Sequence, residues 1–179
     1  SSAASDVYKR QVYKLVPIKT PSNPDNPYQM GRIDPNNMYE IVKKWQWGNS
    51  ESDKIYHDPE TRKNSITFRS NLHRLAEEFI SLGDYDKANE ILDLSFEKLP
   101  IEYFGYYSLS EPYINSYYKI EKIEKARDLF KVIEEKYHDQ INYYSKSILY
   151  NENNFYVESY AENIFTYNER LRGLLENQI

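Results

Sequence analysis

Cysteine is absent from this chain of 179 residues, glycine occurs five times, histidine three times and methionine twice. Without cysteine there are no disulfides, no thiolate metal sites and no cysteine nucleophiles, and a cysteine-free domain suits either redox compartment. The few glycines form no phosphate-cradling loop. Neither a Gly-x-Ser-x-Gly elbow nor a His-Glu-x-x-His helix occurs, so the common motif-bearing enzyme classes find no support and no cofactor is expected. No apolar run approaches the about 18 to 20 residues that a spanning helix needs, and no stretch has the layout of a signal peptide. Basic residues are outnumbered 23 to 28, a net charge of -5. That balance argues against generic nucleic-acid binding, which is driven by Lys and Arg releasing counterions from phosphates.

What is present is aromatic: 19 Tyr, seven Phe and two Trp within a hydrophobic fraction of 40%. This suffices for one domain with a sizeable core, and the mean hydropathy of -0.85 reflects a charged surface rather than disorder. The opening Ser1-Ser2-Ala3-Ala4-Ser5-Asp6-Val7-Tyr8-Lys9-Arg10-Gln11 resembles an in-frame translation of a transposase-library sequencing adapter. It is set aside from fold reasoning, with native sequence expected from Val12 and the chain expected to be the C-terminal piece of a longer protein.

Residues 12–37 carry five of the eight prolines, which remove backbone donors and bias their neighbours toward extended geometry. An extended, Pro-rich N-terminal arm is expected. Asp34-Pro35 reads as N-cap and first helical residue, with Met38, Ile41, Val42 and Trp45 at helical spacing until Trp47-Gly48. Asn49 to His57 reads as a polar loop. Asp58-Pro59 opens a longer helix whose Leu72, Leu75, Ala76, Phe79 and Ile80 form one apolar face, ended by Leu82-Gly83. Tyr85, Ala88, Ile91, Leu92, Ser95, Phe96 and Leu99 make the inner stripe of a second helix closed by Pro100, and so short a turn requires antiparallel packing.

From Arg69 onward these positions resemble a tetratricopeptide repeat of about 34 residues. Setting Ala126 against Ala88 places Tyr117 on Phe79, Phe130 on Leu92 and Ile123 on Tyr85, a second, degenerate copy with Glu121 in place of Gly83 and Ile114 in place of Ala76. A further helix near Gln140 to Leu149 is expected, followed by one striped with Val157, Tyr160, Ala161, Ile164, Phe165, Leu171, Leu174 and Leu175. The predicted fold is all-α: tetratricopeptide-like antiparallel helix pairs forming an α-solenoid over 58–179, preceded by the arm and a short helix over 12–57 and the adapter-like segment over 1–11.

Three blocks carry a second resemblance: Tyr13-Lys14-Leu15-Val16-Pro17-Ile18; Gly31-Arg32-Ile33-Asp34 through Met38-Tyr39 to Trp45-Gln46-Trp47-Gly48; and Arg69-Ser70-Asn71-Leu72-His73-Arg74-Leu75-Ala76. Over about Val12 to Tyr144 the chain is similar to the C-terminal soluble region of a family of bacterial multi-pass membrane proteins common in the Bacteroidetes. That family resembles protein O-mannosyltransferases. The resemblance implies a lipid-sugar-dependent catalytic core upstream, no catalytic residue in this segment, a parent in the inner membrane, and a periplasmic location for this domain.

Candidate sites follow from residue chemistry. Tyr103, Phe104, Tyr106, Tyr107, Tyr113, Tyr117 and Tyr118 crowd the region between the two repeats. Exposed Tyr offers an apolar face and a hydroxyl to a peptide or sugar, so Tyr103, Tyr106, Tyr107, Tyr113 and Tyr117 are the candidate groove, with packing as the competing role. Trp45 and Trp47, with the polar cluster Arg69, Asn71 and Arg74, are candidates for an interface with the arm or a membrane domain. His73 and Glu77 share a helix face at i, i+4, but without a third ligand and beside Arg74 they read as a solvated face rather than a metal site. Glu77-Glu78 and Glu134-Glu135 point about 100° apart on a helix and are surface charge. Residues 12–75 carry a net charge of +3 and 76–179 one of -9, which places the basic end toward a membrane or membrane domain. The expected partner is a protein or peptide, the upstream membrane domain included. The rival expectation is a free-standing repeat adaptor or glycan-binding repeat protein with no enzyme attached.

Overall fold

A computed structural model of the chain describes residues 32–150 and 155–176. The adapter-like segment and arm residues 12–31 lie outside the described residues, as do the side chains of Val157, Tyr160, Ala161, Leu171, Leu174 and Leu175. All regular structure among the described residues is helical. The chain divides into two compact units, Ser1–Gln46 and Trp47–Ile179.

In the first unit, helix α1 spans Pro35–Val42, capped by Asp34, whose carboxylate accepts from the Asn37 amide at 3.1 Å. It stops earlier than its apolar spacing predicts. The Lys44 and Trp45 amides donate to Ile41 and Val42 carbonyls at 3.0 and 3.1 Å, and these i to i−3 bonds tighten and close the last turn, so Trp45 lies beyond the helix.

The second unit runs α2 (Pro59–Ser81), α3 (Tyr85–Lys98), α4 (Ile101–Phe104), a 3-10 turn (Tyr107–Leu109), α5 (Glu111–Lys119), α6 (Ile123–Tyr150) and α7 (Phe155–Glu176). Asp58 caps α2 by accepting from Glu60 and Thr61 amides at 2.9 and 3.0 Å. Packed pairs are α2 with α3, α5 with α6 and α6 with α7, while α5 also packs on α2. The loop 49–57 is tied to this unit: Ser50 Oγ donates to the Lys98 carbonyl at 2.5 Å and Glu51 meets Lys98 Nζ at 3.0 Å. Leu72, Leu75, Ala76 and Phe79 of α2 are buried with Ala88, Ile91 and Leu92 of α3, Tyr113, Ile114 and Tyr117 of α5, and Ala126, Phe130 and Ile133 of α6. At about 25 cal/mol per Å² of apolar surface, these side chains supply most of the driving force for folding.

Two sequence expectations change. Tyr85, placed on the inner stripe of α3, is 49% exposed because it begins the helix just past the turn. The separate helix expected near Gln140 to Leu149 does not exist: α6 continues unbroken for 28 residues from Ile123. No Gly or Pro falls within it to stop propagation.

Four backbone bonds of the first turn recur in the second. In the first, Leu82, Gly83, Asp84 and Ala88 amides donate to the carbonyls of Glu78, Ile80, Phe79 and Asp84; in the second, Ile120, Glu121, Lys122 and Ala126 donate to Ser116, Tyr118, Tyr117 and Lys122. Every donor and acceptor is displaced by the same 38 positions that align Ala88 with Ala126. Gly83 and Glu121 occupy the same left-handed position, with φ of 76° and 60°.

Candidate functional site

A cleft of about 750 Å³ opens in the second unit, bounded by the start of α2, the segment from Phe104 to Ser108, α6 and α7. Pro59, Arg62, Phe104, Gly105, Tyr106, Tyr107, Ser108, Tyr137, Gln140, Tyr144, Ile164 and Tyr167 line it. Five of these are tyrosines, and Arg62 carries the single formal charge. Tyr137, Gln140 and Tyr144 fall at i, i+3 and i+7 of α6, and Ile164 and Tyr167 at i and i+3 of α7, so each helix turns one face to the cleft.

The rings are ordered by their neighbours. Tyr107 meets Tyr137 edge to face at a centroid separation of 6.1 Å, and Tyr137 stacks with Tyr167 at 6.1 Å. Tyr137 is nearly buried and forms the floor. Its hydroxyl donates to Glu111 Oε1 at 2.6 Å, and Arg170 pairs with Glu111 Oε2 at 3.0 Å while lying over the Tyr167 ring. Burial and the adjoining Glu111 carboxylate push the Tyr137 phenol far above its usual range, so it stays a neutral donor. This network joins α5, α6 and α7 beneath the cleft.

The opposite wall is set by Arg69. Its side chain is fully buried, and its guanidinium donates to the Leu99 carbonyl at 2.5 Å and the Gly105 carbonyl at 2.9 Å, with the Phe96 ring 5.4 Å from its centre. A cation beside the C-terminal end of α3 also meets the negative end of that helix's dipole. Burial lowers the Arg69 pKa from its usual value. Immediately after Gly105, Tyr106 adopts φ 52° and ψ 53°. That left-handed conformation costs a non-glycine residue about 1 to 2 kcal/mol, and here it belongs to a residue lining the cleft.

The five tyrosines of the expected groove therefore separate. Tyr106 and Tyr107 line the large cleft. Tyr103 instead lines a smaller one of about 410 Å³ with Asp53, Lys54, Ile55, Tyr56, His57 and Arg62. Tyr113 and Tyr117 are core residues, 0% and 4% exposed. They face inward because α5 packs between the other helices: the Tyr113 hydroxyl donates to the Arg69 carbonyl at 2.6 Å and Tyr117 to Asp93 at 3.0 Å. Burial raises both phenol pKa values. Tyr137, Tyr144, Tyr167 and Arg62 are missing from the sequence expectation. Their helical spacing is the signal, hidden by reading a new helix near Gln140.

The other candidates fall elsewhere. Arg69 brackets the segment after α3. Asn71 and Arg74 are half-buried on α2, and Trp47 packs on Phe68 at 5.7 Å. Trp45 belongs to the first unit. His73 and Glu77 converge with Ser116 of α5: Ser116 Oγ donates to Glu77 Oε1 at 2.5 Å, His73 Nε2 lies 2.9 Å from Ser116 Oγ, and Lys119 pairs with Glu77 at 2.7 Å. Ser116 Oγ also lies 3.2 Å from the Pro112 carbonyl; assigning its proton to the nearer Glu77 makes a neutral His73 the donor from Nε2. Ser116 is fully buried, so this Ser, His and Glu set cannot present a nucleophile; it fastens α5 to α2. Among the described residues no helix is long and apolar enough to cross a membrane.

Comparison with protein-family models, with curated proteins and with solved structures finds no match for this chain.

Proposed function

We propose that the second unit is a tetratricopeptide-like, non-catalytic interaction domain that holds an extended segment of a partner protein in the tyrosine-lined cleft. The observation that carries this reading is the cleft itself, whose five tyrosine rings line a space of about 750 Å³. Rings of this kind provide large contact area at low conformational-entropy cost, and their hydroxyls can bond to peptide carbonyls. The strained Tyr106 backbone supports the same reading, since such strain concentrates at binding sites. The repeat interpretation rests on the turns displaced by 38 positions and on buried Ala88 and Ala126 at equivalent places.

The test is selection from a random-peptide phage library on the immobilised full chain. Enriched peptides that lose binding to a Tyr106→Ala, Tyr144→Ala variant uphold the proposal; enrichment of none, or enrichment indifferent to the variant, overturns it. A signal on a glycan array in place of peptides would favour the glycan-binding rival.

In its wider setting, we propose that the domain positions an acceptor protein or assembly partner for a membrane-bound glycosyltransferase-like protein, with this domain on the periplasmic side. That rests on the three blocks of resemblance and is tested by reading the gene on the 5′ side of the Val12 codon. Many apolar spans with acidic loops uphold it; their absence leaves a free-standing adaptor.

A further inference from the structure

The charge of the cleft narrows what it can hold. Arg62 is the one charged residue among those lining the large cleft, and it also lines the smaller one, so it stands where the two meet. Its guanidinium makes no ion pair among the described residues, in a chain whose net charge is -5. The nearby Arg170 is different, because Glu111 neutralises it. The remaining lining is aromatic or uncharged, with Tyr107, Tyr137 and Tyr167 in a continuous run of ring contacts.

We infer that the cleft takes an extended, proline-containing peptide segment bearing one carboxylate, with the carboxylate on Arg62 and the prolines against the tyrosine rings. This rests on the reading of the cleft as a peptide site and names the class of peptide. A guanidinium with no ion pair among the described residues, at the rim of a cleft whose other lining residues are uncharged, selects an anion even with Asp53 in the smaller cleft beside it, and a planar carboxylate matches its paired donors. Proline-rich segments are already extended, lose little entropy on binding and dock in aromatic-lined grooves, where ring packs on ring. Tyrosine hydroxyls can donate to their carbonyls, the groups such segments retain when proline removes their N–H donors.

Fluorescence anisotropy on the full chain tests this with a fluorescein-labelled peptide having one aspartate flanked by prolines, and with two matched peptides carrying lysine for the aspartate or glycine for the prolines. The aspartate–proline peptide should bind about tenfold or more tightly than either. Arg62→Gln should remove the preference for aspartate over lysine while leaving the circular dichroism spectrum and the preference for proline over glycine unchanged. Arg62→Lys should restore part of it, and the control Arg127→Gln should change nothing. If the three peptides bind equally, or Arg62→Gln leaves the charge preference intact, the assignment is overturned while the cleft remains a peptide site. If none binds and phage selection also fails, both readings fall.

Discussion

Two polar side chains, the buried Arg69 and the half-buried His73, organise the second unit, and each makes a different kind of demand. Arg69 donates to two backbone carbonyls, Leu99 at the end of α3 and Gly105 at the end of α4. Arg69→Met keeps much of the volume but strands both carbonyls, so a loss of about 3 kcal/mol is expected, read as a lower urea midpoint with an unchanged slope. Arg69→Lys, a point donor without the fork, should recover only part. His73 makes the demand through protonation. Burial holds its imidazole below the ordinary range, with Glu77 opposing. The unfolded chain takes up this proton below about pH 6.5 while the folded one resists. The contribution is therefore complete above that value and is lost as pH falls toward the folded pKa. Glu77, held low chiefly by Lys119 and Ser116 against its own desolvation, adds a second loss only at more acidic pH, below its ordinary 4.5. The urea midpoint should fall between pH ~7.5 and ~5.5 in the parent chain and markedly less in His73→Gln, which keeps a donor toward Ser116 without titrating. An equal fall in both would remove His73 as the cause.

At the scale of elements, the turns show what glycine contributes. Gly83 and Glu121 hold equivalent left-handed positions, and a Cβ at Gly83 would meet nothing within 4 Å. The difference between the two is thus conformational rather than steric crowding. Gly83→Ala should destabilise, and Glu121→Gly stabilise, each by about 1 kcal/mol. Thermal unfolding of the two variants checks the signs, and Glu121→Gly lowering the melting temperature would contradict the equivalence. These elements also show what was legible in sequence. Asp58-Pro59, the Leu82-Gly83 stop and the apolar face of α2 are local signals, and the structure places the helix where they do. The alignment of Ala126 with Ala88 was readable because both helices demand a small residue at close approach. The continuation of α6 through Gln140 was legible as well, in the helical spacing of Ile133, Tyr137, Ile141 and Tyr144 and the lack of Gly or Pro, but starting a new helix near Gln140 hides that stripe. The cleft inherited that error: Tyr113 and Tyr117 looked like groove residues from composition alone, whereas tertiary packing turns them inward and brings Tyr137, Tyr144 and Tyr167 into their place.

Across the whole second unit, α7 is held by its packing on α6 and by the Arg170 contact to buried Glu111. Removing the guanidinium in Arg170→Ala leaves a buried carboxylate with Tyr137 as its one side-chain partner among the described residues. A loss of about 1 to 2 kcal/mol is expected, with amide exchange accelerating in α7 before α2 and α3. Since the same network supports the floor of the cleft, the variant should also weaken peptide binding. The claim on which the account turns is that the tyrosines lining the cleft, and not those of the core, meet the partner. Tyrosine ring carbons labelled in the full chain, followed by NMR during titration with a phage-selected peptide, test it most directly. Resonances of Tyr106, Tyr107, Tyr144 and Tyr167 should shift in saturable fashion while Tyr113 and Tyr117 stay in place; shifts confined to tyrosines outside the cleft would contradict it.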